Sequence, residues 1–351
     1  MISIHEDTLL ADPNRRLQNH CLFQDVSDKW LQQKKGKVRE STYAMYYQKV
    51  HRYIIPNLGG IRMQDLTEIQ MNAFLKWLSN DGGLSWKTVS DIRSVLRMIL
   101  DWAAKNGCYE LGSVTLYVPS PLPQTLEILT IKEQKKLEQY LLDNMSEIHL
   151  GLLLSLYAGL RIGEVCGLKW GDIDFRKGTL SVCRTVMRIQ ETNEKSDHRT
   201  KVMITQPKTY NSNRMIPVVK DVLECLKVFR KNSETYVLTG TLICMEPRTL
   251  TVHYKKILKK AGLSPYKYHA LRHTFATRCV EQGIDIKTLS EIMGHSSVKI
   301  TMDRYVHPTM DFKKKQLGRL KLSVTTVKSK TPIKQKILPK KEDKSCNPLL
   351  F

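Results

Sequence analysis

Two histidines and an arginine fall within five residues in His269-Ala270-Leu271-Arg272-His273. Gly294-His295 and a lone Tyr305 follow downstream, and a second arginine stands far upstream in Ala158-Gly159-Leu160-Arg161-Ile162-Gly163-Glu164. Arginine forks match phosphate oxygens, imidazoles hydrogen-bond and carry protons, and a phenol can attack phosphorus. Together these types could hold a phosphodiester and cut it with a tyrosine. His269, Arg272 and His273, at i, i+3 and i+4, share one helix face. The same spacing suits metal-binding histidines, but no third acidic or cysteine ligand stands nearby. Arg161 precedes Glu164 by one helical turn, which puts the two side chains within reach. Lys208, in Pro207-Lys208-Thr209, lies between two predicted strands.

The elements that must position these groups belong to a chain of 351 residues with a formal net charge of +22. That length allows two domains, each with its own core. That charge argues for a polyanionic partner, nucleic acid first. Residues Met1 to Phe23 are polar and broken by Pro13, and no apolar run reaches membrane-spanning length, so we expect no leader, no membrane and a cytoplasmic protein. The eight cysteines form no C-x-x-C pair and no zinc-site spacing, which predicts reduced thiols and no structural metal.

Four helices are predicted after a flexible segment 1–22. The first runs from about Asp25 to Gln33. The second is capped by Ser41, carries Tyr46, Val50 and Tyr53 on one face, and is stopped by Pro56. The third opens on the capping box Thr67-Glu68-Ile69-Gln70 and faces inward through Ile69, Phe74 and Leu78. The fourth starts near Ser85 and buries Val89, Ile92, Leu96, Ile99 and Ala103. Arg93 and Arg97 flank that stripe, either as a solvated face or as phosphate contacts. Pro119, Pro121 and Pro123 mark a linker over 108–127, between a helical domain 23–107 and a second domain 128–320. A second capping box, Thr130-Ile131-Lys132-Glu133, opens that domain, and an apolar run Leu150 to Leu160 delivers Arg161. Ile173 to Phe175, a turn at Lys177-Gly178, and Leu180 on toward Val186 read as a hairpin. Val202–Thr205 and Met215–Val219 read as further strands. The tail 321–351 holds eight lysines against Glu342 and Asp343, and reads as basic and disordered.

Taken in order, these motifs resemble the tyrosine recombinases, the phage-integrase family. The matching stretches are Ala-Gly-Leu-Arg161-Ile-Gly-Glu164, Pro-Lys208-Thr, His269-Ala-Leu-Arg272-His273-Thr-Phe-Ala-Thr, Met-Gly-His295-Ser-Ser and Asp-Arg-Tyr305-Val-His-Pro. The resemblance implies an all-α, SAM-like four-helix core-DNA-binding domain followed by a mixed α+β, mainly helical catalytic domain, closed as a C-shaped clamp on duplex DNA. It implies that Arg161 and Arg272 clamp the scissile phosphate and that Tyr305 forms a 3′-phosphotyrosyl bond. Lys208 would protonate the leaving 5′ oxygen, His269 would assist proton transfer at the tyrosine, and His295 would hydrogen-bond the phosphate or the phenol. Glu164 would orient Arg161 or a neighbour, and His273 would support the cluster. Neither ATP, metal nor another cofactor is implied. The partners implied are double-stranded DNA with specific recombination sites, a homotetramer in the synapse, and an excision or DNA-bending accessory protein. The helix over about 309–320 would dock on a neighbour or pack in cis. The basic tail and the lack of Asn-Pro after Gly107 favour a mobile-element integrase. The alternatives are a chromosome-dimer or plasmid resolvase, a relaxing topoisomerase of the same chemistry, and a DNA-binding regulator without catalysis.

Overall fold

The computed structural model describes residues 21–305, apart from 110–111, 113, 121–125, 194–195 and 206–212, together with 314, 317 and 318. Residues 1–20, Lys208, the 309–320 segment as a whole and the tail therefore lie outside the described residues.

The first apolar core is built by helices α1 (Phe23–Lys34), α2 (Glu40–Lys49), α4 (Glu68–Asn80) and α5 (Trp86–Lys105). The predicted stripe of α5 is its centre. Val89, Ile92, Leu96, Ile99 and Ala103 are all fully buried, joined by Val95 and Leu100. Each such aliphatic side chain contributes about 1.5–3 kcal/mol by leaving water. Ser85 caps α5 by accepting from the Thr88 N–H. The capping box of α4 is formed, with Gln70 accepting from the Thr67 N–H at 2.9 Å and Thr67 accepting from the Gln70 N–H at 3.3 Å.

Three local expectations are corrected. Ile69 is 82% exposed; the inward face of α4 is Met71, Phe74, Leu75 and Leu78. Ile69 stands five positions before Phe74, about 140° round the helix, which turns it off that stripe. Pro56 does not end the second helix. The chain passes through a π-helical turn, Val50–Ile54, into a short helix α3 (Ile55–Leu58) that carries Pro56 in its first turn. A first turn needs no intrahelical N–H, so proline is tolerated there. The second helix also starts one residue early, at Glu40, and Ser41 lies inside it rather than capping it.

The second core is organised around α7 (Glu147–Tyr157), whose residues Leu150 to Leu156 are all buried. A helix apolar on all sides needs neighbours on all sides. Here they include α6 (Ile131–Asp143), α8 (Ile162–Cys166), α9 (Lys220–Val228), α10 (Pro247–Lys260) and α11 (His269–Glu281). The Thr130–Glu133 capping box starts α6. β1 (Ile173–Asp174), β2 (Thr179–Val182) and β5 (Arg214–Pro217) form an antiparallel sheet in the order β1-β2-β5. β3 (Thr185–Gln190) and β4 (Thr200–Thr205) form a separate antiparallel hairpin. Val186 thus belongs to β3, and the predicted first hairpin ends at Val182. Cys183 and Arg184 redirect the chain between the two sheets, with the Arg184 guanidinium held by Asp172.

Two short helices, α12 (Ile286–Met293) and α13 (Val298–Tyr305), follow α11. Their buried residues Leu289, Met293 and Tyr305 pack with Ala276 and Cys279 of α11. Among the described residues no helix is long and apolar enough to cross a membrane.

Candidate active site

Arg161 caps the short helix α8. Its own N–H donates to one Glu164 carboxylate oxygen at 2.9 Å, and its guanidinium donates to the other at 2.7 Å. The bend that delivers it depends on Gly159, whose φ of +64° suits glycine and whose absent Cβ leaves room for the Phe275 ring. Arg272, in the first turn of α11, is 2% exposed. It donates to the Gly159 carbonyl and, at 2.6 Å, to the Met293 carbonyl. Arg161 also donates to the Gly294 carbonyl at 3.0 Å. Two residues far apart in sequence are thus fixed on adjacent carbonyls at the C-terminus of α12. That end of a helix carries partial negative charge and unsatisfied acceptors, so it suits cations. Gly294 closes α12 in the left-handed conformation, φ 62°.

Burial, then the charge of Arg161, pulls Arg272 down to about 9. Burial would raise the Glu164 carboxyl, but hydrogen bonds and charge from Arg214, then the charge of Arg161, hold it at about 2. Sequence reasoning offers Arg214 only as a substitute for Lys208 and misses its pairing with Glu164. Its guanidinium spans both Glu164 oxygens at 3.0 Å and donates to the Ile292 carbonyl at 2.6 Å. The signal for it was weak: an arginine heading a strand just after the Lys208 segment, fifty residues from its acid.

Tyr305 ends α13, 6% exposed. Its hydroxyl lies 2.7 Å from Nδ1 of His273. The His269 ring stands edge-on to His273 with centroids 4.5 Å apart, and its residue opens to solvent. The structure therefore places His273 at the phenol, the position that the resemblance gives to His269. The cause is geometric. One turn separates the two histidines on α11, and the later one faces α13. The His295 ring is parallel to the Tyr305 ring with centroids 6.4 Å apart, and its Nδ1 lies 2.8 Å from the Thr301 hydroxyl. Burial first, then nearby arginines, lowers His273 to about 4 and His295 to about 3. Partial loss of hydration, then His273 and Arg272, lowers His269 to about 4. All three imidazoles are therefore neutral near pH 7. Burial pushes the Tyr305 phenol up, against the pull of Arg272 and Arg304.

The described residues contain no group of three His, Cys, Asp or Glu side chains placed to hold a metal. Arg97 donates to Asp101 at 2.9 Å and to the Val114 carbonyl at 2.7 Å. Arg93 lies beside it in a surface hollow of about 370 Å³.

The family model of the phage integrase family matches residues 124–311, and that of the phage integrase N-terminal SAM-like domain matches 22–79. A XerC-like tyrosine recombinase of Caldanaerobacter subterraneus subsp. tengcongensis is 31% identical over 81% of this chain and 80% of its own length. The transposase of transposon Tn916 from Enterococcus faecalis is 24% identical over 81% of this chain and 74% of its own. The chain belongs to the phage integrase family of tyrosine recombinases. Among solved structures, the Tn1549 transposon integrase in complex with a circular intermediate DNA shares the fold, with a TM-score of 0.71, 21% identity, and coverage of 86% of this chain and all of that one. A lambda integrase dimer bound to a core site aligns with a TM-score of 0.61 at 20% identity, covering 85% of this chain and 82% of that one. The expected architecture, a SAM-like helical domain before a mainly helical α+β domain, is the fold observed, and as a tyrosine recombinase the chain is an enzyme of site-specific DNA recombination.

Proposed function

We propose that this recombinase is the integrase of a mobile element, and that the cluster around Tyr305 is its catalytic centre. The observation that carries the reading is the shared seat of the chemistry. Arg161 and Arg272 rest on neighbouring carbonyls of one helix end, and the phenol is in the same buried cluster with an imidazole at its hydroxyl.

In this reading the two guanidiniums take the non-bridging oxygens of the scissile phosphate and stabilise the charge that builds there. The Tyr305 oxygen forms a bond to phosphorus as the bond to the 5′ oxygen breaks. The phenol proton passes to Nδ1 of His273, and His269, edge-on to that ring and open to solvent, exchanges it with water. His295 hydrogen-bonds the phosphate. Lys208 gives its proton to the leaving 5′ oxygen, so the strand ends with a free 5′ hydroxyl and a 3′-phosphotyrosyl ester. Rejoining reverses each step with a 5′ hydroxyl from the partner duplex. The helical domain 23–107 and the catalytic domain 128–320 grip opposite sides of the duplex, and four protomers synapse two sites. An accessory excision or bending protein sets direction.

The test uses a pool of nicked duplexes with randomised sequence. Wild-type protein captures its own site from the pool as a covalent adduct on a denaturing gel. Tyr305→Phe binds the captured sequence equally and forms no adduct. An adduct that persists in the variant, or none with wild type, removes Tyr305 from the role. The likeness to the XerC-like relative supports a second reading, a resolvase of the same chemistry. The captured sequence decides between them: ends of the DNA segment that carries the gene mean an integrase, and a single chromosomal or plasmid site means a resolvase.

A further inference from the structure

Three consecutive carbonyls at the C-terminus of α12 each accept from a different arginine. Ile292 takes Arg214, Met293 takes Arg272, and Gly294 takes Arg161. Only two of these arginines have a role in the proposed chemistry. The third, Arg214, has a side chain 6% exposed, as has the Glu164 side chain that it grips. Glu164 is in turn shared. One oxygen, Oε1, takes both the Arg161 guanidinium at 2.7 Å and the Arg214 guanidinium at 3.0 Å. Oε2 takes the other arm of Arg214 and the Arg161 N–H.

A buried carboxylate attracts whatever cation is within reach, and the pull strengthens as water is excluded. With Arg214 in place, its planar fork satisfies both Glu164 oxygens, so Arg161 is held by one arm only. Its other arm reaches the Gly294 carbonyl. At 35% exposure the Arg161 side chain still faces solvent, where a phosphate would arrive. Without Arg214, Glu164 would keep Arg161 as its one cation, and Oε2, left with the Arg161 N–H alone, would draw a further arm of that guanidinium. The clamp arginine would then be drawn into the protein and away from the phosphate.

We infer that Arg214 is a positioning residue: by occupying Glu164 it leaves the Arg161 guanidinium available to the scissile phosphate. This rests on the reading of Arg161 as a phosphate clamp. Arg214 also ties β5, the strand that follows the Lys208 segment, to the α12 end that seats both clamp arginines. The geometry makes a signed claim. Arg214 matters because Glu164 is there, so removing Glu164 as well should undo part of the damage.

The experiment measures single-turnover adduct formation on the duplex captured by the wild-type protein, alongside melting temperature and affinity for that duplex. Arg214→Met is expected to slow adduct formation about 100-fold, the scale of an ångström-level misplacement of a catalytic group. Adding Glu164→Gln to Arg214→Met should recover about tenfold, the size of coupling found within one hydrogen-bonded network. Losses that multiply in the double variant would mean that Arg214 merely supports the fold, and would overturn the inference, as would wild-type rates for Arg214→Met alone. Should Arg214→Met not fold, Arg214→Gln carries the same comparison, since its amide can still hydrogen-bond in the cluster but brings no charge to Glu164. Wild-type protein that captures no duplex would instead overturn the reading of the site on which this inference rests.

Discussion

A buried phenol attacks poorly until something takes its proton, and the atom 2.7 Å from the Tyr305 hydroxyl is Nδ1 of His273. Burial, then Arg304 and Arg272, hold His273 at about 4, so the ring is a neutral acceptor near pH 7. The sign of the pH dependence follows. Adduct formation is level around neutrality and falls as acid protonates the ring. A bound phosphate, being an opposite charge, raises the imidazole, so the acid limb lies higher with DNA present than in the free protein. His273→Ala should lose about 10²–10⁴ in rate, the usual worth of a general base. Its remaining rate should climb with alkaline pH as the phenol ionises unaided. Single-turnover rates across pH decide it. A level profile for His273→Ala, with the larger loss in His269→Ala, would return the proton to His269. At this scale the sequence showed the residue types but not their pairing. Three groups on one face of α11 were legible from i, i+3, i+4 spacing. Which histidine meets Tyr305 depends on how α13 docks, and no local pattern encodes that. The place of Arg214 was hidden for the same reason: the sequence offers it only as a substitute for Lys208, because its acid and its carbonyl lie on other elements.

Among the elements, α12 has an importance out of proportion to its eight residues, because its last carbonyls seat three arginines. Their directions depend on the left-handed turn at Gly294, φ 62°. A side chain there costs about 1–2 kcal/mol in backbone strain. Gly107, after the end of α5, has a similar φ of 69° and no part in the cluster, which makes it a matched control. Gly294→Ala and Gly107→Ala should lower the melting temperature by similar amounts. Only Gly294→Ala should slow adduct formation, by about 100-fold if the carbonyls shift on the ångström scale. Equal rates in the two variants would show that the arginines do not depend on this helix end. Element signals that are local were readable in the sequence. Both capping boxes and the α5 stripe use residues within a turn or two of each other. The misreadings came where a neighbour or an irregular turn decides. Ile69 is apolar but off the buried face, Pro56 sits in a first turn supplied by a π-helical step, and Val186 leaves one sheet for another across a two-residue break.

Over the whole molecule the dominant quantity is a net charge of +22, and the catalytic cluster accounts for little of it. The eight lysines of 321–351, against Glu342 and Asp343, are a large share concentrated outside the residues that seat the chemistry, which run from Gly159 to Tyr305. Charge of this kind acts by neutralising phosphates and releasing their counterions, and this carries no sequence information. A chain ending at Leu320 should therefore bind unrelated duplex more weakly, with a log–log salt slope shallower by about 0.9 for each phosphate that the tail neutralises in the full chain. At saturating protein its adduct rate on the captured site should match that of the full chain, because neither the arginines nor Tyr305 has been touched. Titrations at several salt concentrations, paired with single-turnover cleavage, separate the two effects. An unchanged slope would show that the tail does not meet DNA. A slower adduct at saturation would show instead that the tail takes part in assembling the site, and the division of labour between bulk charge and the arginine cluster would have to be redrawn.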